Sequence, residues 1–129
     1  MMQMTHNFSY PEDQTTYFAF TYPFSYQDSL DQMVFYEKQL ASQPNIYFHK
    51  ETLYYSAEGR RLELVTISSR DGLTDELEAN PAEKEGLFPE HNRCHRFKNK
   101  KVVFLTSRVH PGETPGSHVL NGFLELLCE

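Results

Sequence analysis

Residues 106–116 read TSRVHPGETPG, and His110 and Glu113 within them are the two side chains placed to hold a metal ion together. A β-turn with Pro second and Gly third brings its two ends within about 7 Å at Cα, and a third-position Gly supplies the positive φ of a type II turn. Here the ends are His110 and Glu113, and the middle is Pro111-Gly112. An imidazole nitrogen and a carboxylate oxygen held that close can share one Zn²⁺ at roughly 2 Å each. Two plainer readings use the same residues. The turn is an ordinary Pro-Gly bend with polar shoulders, or Glu113 serves only to favour the dipole of a following helix.

The flanking elements decide how well such a corner is held. Before the turn stands KVVFL, residues 101–105, apolar on both strand faces, the pattern of a central parallel strand covered on each side. After it, Thr114 and Pro115 fit the N-cap and first position of a helix, and Val119, Leu120, Phe123, Leu124 and Leu127 recur at helical spacing. Strand, turn and helix make the first half of a βαβ unit. Open α/β sheets bind ligands at the carboxyl ends of their strands, where His110 and Glu113 fall.

Upstream, YFAFTYPF (17–24) suits a short strand ended by Pro23. Ser25 with Asp28 three residues on forms an N-terminal helix signature, and Leu30, Met33, Val34 and Leu40 predict a helix over about 27–42, stopped before Pro44. ETLYYSAEGRRLELVTIS (51–68) predicts a β-hairpin turning at Glu58-Gly59, with Leu62, Glu63 and Leu64 alternating. From Arg70 to Lys101 the chain is charged and irregular, a connection long enough to be functional or mobile. Leu73, Leu77, Leu87 and Phe88 could pin it to the body, part of it could be a short helix, and Asp71–Glu85 reads as a solvated acidic face.

Composition bounds the function. The 129 residues suit at most one domain, and 39% hydrophobic with 14% aromatic content marks a chain that folds. A net charge of −6 with twelve Lys and Arg offers no footprint for nucleic acid or an anionic membrane. No apolar run of membrane-spanning length and no signal-peptide pattern occurs, so the expectation is an intracellular chain. Cys94 and Cys128 read as two free thiols rather than a disulfide framework.

Other chemistry-bearing residues are weaker candidates. His91, Cys94 and His95 have spacing that can bind zinc, but a structural zinc site wants four ligands, and a solvated polar loop is the default reading. His118 falls beside Glu125 at the edge of the last helix, reading as exposed surface, and His6 and His49 have no partners visible in sequence. Arg108 could face the turn or pair with a local carboxylate. No Gly-rich phosphate cradle and no GxSxG elbow is present.

SRVHPGETP followed by an apolar helix resembles the zinc-binding segment of the cytosolic carboxypeptidases, a branch of the zinc metallocarboxypeptidase superfamily typified by carboxypeptidase A. FTYPFSYQD, YYSAEGRRLELVTISS and EGLFPE resemble further stretches of the same family, so the resemblance spans about residues 17–127. It implies an α/β fold: the front part of a metallocarboxypeptidase-like mixed sheet flanked by helices, with a long irregular loop, and an incomplete domain. Residues 1–22 would be a lead-in, the edge of an upstream β-sandwich, and 23–129 the N-terminal part of a catalytic domain. The resemblance further implies one Zn²⁺ held by His110 and Glu113, with the third ligand, a histidine, and the general base expected beyond residue 129. The substrate-binding residues are not identified within the chain. Implied substrates are glutamates at protein C-termini and side-chain branches, with polyglutamylated tubulin as the partner. Implied location is the cytoplasm, with nuclear or microtubule association left open. Gly116-Ser117-His118 departs from the serine pair and aromatic residue expected after the motif. The expectation is a fragment that does not hydrolyse peptides by itself, binds zinc weakly and dissolves poorly; the alternative is a non-catalytic binding or regulatory fragment, or a truncated product, sharing the same half-fold.

Overall fold

The structure, a computed structural model, describes residues 3–8, 15–81 and 86–128. Its elements in order are α1 (Tyr26–Leu40), β1 (Ile46–Tyr55), β2 (Arg61–Ser69), β3 (Leu73–Leu77), β4 (His95–Phe97) and α2 (Thr114–Cys128). The fold is α/β, with β1 and β2 in one antiparallel pair and β3 and β4 in another.

Helix α1 begins where the sequence signals it. Ser25 and Asp28 form a capping box: the Asp28 backbone N–H donates to Ser25 Oγ at 3.1 Å, and the Ser25 backbone N–H donates to Asp28 Oδ2 at 2.6 Å. Donation to Oδ2 from the Ser25 backbone N–H, and then from the Ser25 hydroxyl at 2.7 Å, holds the Asp28 carboxyl below its ordinary range. Two orphan amides are thus satisfied at the point where the apolar spacing starts. Met33, Tyr36 and Leu40 form the buried stripe of the helix and meet Ile46, Phe48, Val65, Ile67, Leu124 and Cys128 in the core cluster.

The β1–β2 hairpin is the central layer. Its strands pair from Ile46↔Ser69 to Tyr55↔Arg61, so β1 starts five residues before the predicted run. Gly59, at φ +73°, takes the left-handed turn conformation that favours glycine. Because side chains alternate, turning Val65 and Ile67 toward α1 puts Glu63 on that same face, and Leu62 is left 56% exposed near the strand's end.

The opposite face is covered by a strap that the sequence presents as irregular. Residues 70–101 contain the β3–β4 ribbon, and Tyr47 of β1 packs edge-on against His95 and Phe97. The register of β1 slips between Thr52 and Tyr54, a bulge at Leu53 whose carbonyl accepts the Phe88 N–H at 2.9 Å. Arg93 Nε donates to the buried Glu51 at 2.8 Å, Arg93 Nη1 donates to the Ala79 carbonyl at 2.7 Å, and the guanidinium stacks 3.3 Å from the Phe88 ring centre. Thr52 and Tyr55 hydroxyls both donate to Glu90 Oε1, at 2.9 and 3.0 Å. Of the four expected pins Leu77 is exposed, while Leu73, Leu87 and Phe88 are half-buried, and polar and aromatic contacts add to them in holding this segment. No helix occurs in it among the described residues; 82–85, the end of the acidic run, lie outside them.

Two predicted strands do not form. Residues 17–24 make no strand, and Tyr17, Phe20 and Tyr22 are exposed. Residues 101–105 likewise make none: Val102 is 89% and Val103 79% exposed, with Phe104 and Leu105 also open to solvent. A strand exists through its ladder, and no described residues pair with either segment. The residues of 1–22 that bear on an upstream sandwich lie partly outside the described ones, 1, 2 and 9–14 among them.

Candidate metal centre

The 106–116 turn leads directly into α2. The Glu113 N–H donates to the His110 carbonyl at 3.0 Å, closing the predicted bend, and the Gly116 N–H donates to the Glu113 carbonyl at 3.0 Å. Gly112 stays outside the left-handed region, so the bend is not the type II turn its sequence suggests. The unusual backbone conformation falls instead on Arg108, at φ +54°. Helix α2 begins at Thr114, one residue earlier than its expected cap role allows, and the buried Thr114 hydroxyl has no hydrogen-bond partner. A hydroxyl inside the first turn no longer reaches the amides that an N-cap side chain satisfies.

His110 and Glu113 come together as their spacing requires. His110 Nδ1 lies 2.7 Å from Glu113 Oε1, and the His110 backbone N–H donates to Oε2 at 3.3 Å. Both side chains are mostly exposed, at 74% and 54%. A nitrogen and an oxygen at this separation, open to solvent, are the borderline and hard donors that zinc takes, so the pair fits a shared ion. They are two donors and not three: no group of three His, Cys, Asp or Glu converges among the described residues.

The other candidates disperse. His91 Nδ1 is bonded to the Asn80 amide, His95 Nδ1 donates to the Thr74 carbonyl at 2.9 Å, and His49 Nε2 donates to the Asn92 carbonyl at 2.9 Å. Cys94 is buried rather than in a solvated loop, and burial pushes its thiol up. Cys128 is buried and raised for the same reason, and both are free thiols, as expected. His118 is exposed, with its ring edge-on to Phe24, and His6 packs against Phe8 and Phe18.

Of the two readings open for Arg108, it takes the first and faces the turn. Its Nε and Nη2 donate to the Pro111 carbonyl at 3.2 and 3.1 Å, and its Nη1 donates to the Phe24 carbonyl. It partners backbone oxygens rather than a local carboxylate, and the Phe24 bond is the part that sequence reasoning missed. No local pattern could have revealed a bond to a residue 84 positions away.

Residues 33–129 match the zinc carboxypeptidase family, peptidase M14, and this stretch contains the turn, the strap and both helices' apolar faces. The chain belongs to the zinc carboxypeptidase family. It is 44% identical over 137 aligned positions to cytosolic carboxypeptidase-like protein 5 of Bos taurus, covering 98% of this chain and 15% of the relative. The human protein of that name is 43% identical over the same shares. Human cytosolic carboxypeptidase 1 is 40% identical, over 95% of this chain and 9% of its own length. The chain thus spans about 15% of the length of the first of these relatives. Among the described residues, no helix is long and apolar enough to cross a membrane.

Proposed function

We propose that this chain supplies the first two zinc ligands, His110 and Glu113, of a cytosolic-type metallocarboxypeptidase that removes glutamates from protein C-termini and branches, with polyglutamylated tubulin as substrate. The observation that carries it is the 2.7 Å approach of an exposed imidazole nitrogen to an exposed carboxylate oxygen across a Pro-Gly bend. Family membership and relatives named cytosolic carboxypeptidases support the reaction class and a cytoplasmic location.

Zinc bound there supplies a Lewis acid that polarises a peptide carbonyl and acidifies water near neutral pH. The chain's own part is to present two donors in fixed mutual geometry on a helix start. His110 Nδ1 and Glu113 Oε1 face each other and are the two donors that would hold the ion, and the backbone bond from the Glu113 N–H to the His110 carbonyl keeps the two residues in register. Catalytic zinc takes three protein ligands and an open position. Two converge among the described residues, so hydrolysis in this reading needs a third ligand and a general base besides them.

The same count favours a second reading, a non-catalytic binding protein on the shared half-fold. The two part on one experiment. A longer form extending to the relatives' full length is assayed for glutamate release from peptides with glutamate tails, beside its His110→Ala variant. Release abolished by that substitution and by zinc chelation is expected. Release that survives both, or no release from a well-folded zinc-loaded form, overturns the hydrolase reading.

A further inference from the structure

We propose that Arg108 is the positioning residue of the metal corner, a guanidinium clamp that locks the His110–Glu113 bend to the start of α1. The proposal rests on reading His110 and Glu113 as ligands. Three independent observations carry it.

The first is the fork. Nε and Nη2 converge on the Pro111 carbonyl while Nη1 reaches the Phe24 carbonyl, so one planar group holds the inside of the bend and a distant strand of backbone at once. A guanidinium presents its donors in a rigid plane, whereas a lysine ammonium is a single point on a flexible stem. The second is backbone conformation. Arg108 is non-glycine at φ +54°, a left-handed conformation that residues with a Cβ seldom adopt and that is occupied where surrounding contacts over-determine it. Here the side chain's own bonds supply that determination, and the conformation lets the guanidinium curl back over residues 109–111. The third is close approach. A Cβ on Gly116 would stand 3.0 Å from Ser107 Oγ and 3.6 Å from the Arg108 backbone nitrogen, so the first turn of α2 is seated against the 107–108 backbone. The clamp therefore fixes the bend at both sides, against α2 by packing and against the α1 start by hydrogen bonds. Phe24 precedes Ser25, so the anchor adjoins the capping box of α1.

The consequence is that Arg108 sets metal affinity without touching metal. Preorganised ligands lose less freedom on binding an ion, and contacts that orient the ligands without touching the ion characteristically tune metal affinity by about 10–100-fold. A lysine keeps the charge and loses the fork, so Arg108→Lys should behave like Arg108→Ala.

The test uses the 129-residue chain at micromolar concentration. Zinc affinity is read by competition with a chromophoric chelator for the wild type, Arg108→Ala, Arg108→Lys and His110→Ala. Amide hydrogen exchange without metal is followed by mass spectrometry over 106–116 and, as internal reference, over α1 and the β1–β2 hairpin. Expected are zinc binding about tenfold weaker in both Arg108 variants and faster exchange confined to the turn. Unchanged affinity and exchange in Arg108→Ala, full recovery in Arg108→Lys, or exchange raised evenly through α1 and the hairpin would each overturn the clamp. If the wild type takes up no zinc, or His110→Ala takes it up equally well, the ligand reading fails instead, and the exchange pattern still decides whether Arg108 holds the turn.

Discussion

Two regions of this chain have similar apolar content and opposite fates. Around the hairpin, Met33, Tyr36, Leu40 and Tyr47 are buried, and the strap on the far face is tied down by Arg93, Glu51 and Glu90. Around the turn, Val102, Val103, Phe104, Val109, Val119, Phe123, Leu126 and Leu127 are exposed. Hydrophobicity alone does not make a core: the hairpin region has a partner for each face, whereas VVFL has no ladder among the described residues. The 110–113 bend sits at the edge of the open region, where the Glu113–His110 backbone bond, the Arg108 bonds and the α2 start define it locally.

The contrast can be broken by substitution. Arg93→Ala should be the most damaging change, about 3–5 kcal/mol by chemical denaturation, because it strands the Glu51 carboxylate at 3% exposure with its Oε1 already unpartnered. A loss below about 1 kcal/mol would mean the strap is not integral to the hairpin. Leu40→Ala, at 3% exposure, should cost about 2–5 kcal/mol, while Val103→Thr, at 79%, should stay within about 0.5 kcal/mol. Equal effects would erase the distinction between the two regions.

A smaller effect sharpens the contrast through pH. Hydroxyl donation from Thr52 first and Tyr55 second holds the Glu90 carboxyl below its ordinary 4.5. A carboxyl depressed on folding contributes stability that is present above its unfolded pKa and vanishes as pH falls through its folded pKa. The stability gap between wild type and Glu90→Gln should therefore be open near neutral pH and close as pH falls below about 4.5. A gap independent of pH would remove the carboxylate from the strap.

Where the sequence reads correctly, the signals are local. The Ser25–Asp28 capping box, the Glu58-Gly59 turn and the 110–113 bend are each set by residues a few positions apart; the first two stand as expected, and the third closes as expected but without the type II geometry. What escaped it depends on distant partners. The strap's order comes from Arg93, Glu90 and a bulge at Leu53, whose partners lie on different elements and carry no periodic mark. The KVVFL strand fails in the other direction: its pattern states what would cover it, and pairing needs neighbours that pattern cannot supply. At the bend, the approach of His110 to Glu113 was legible from spacing, while the Arg108 bond depended on the fold bringing Phe24 to it.

Zinc affinity of the 129-residue chain, compared among wild type, His110→Ala and Glu113→Gln by chelator competition, tests the shared-ion corner most directly. The account predicts weak, one-to-one binding in the wild type that falls by about tenfold or more when either donor is changed. Equal zinc uptake by all three chains would contradict it.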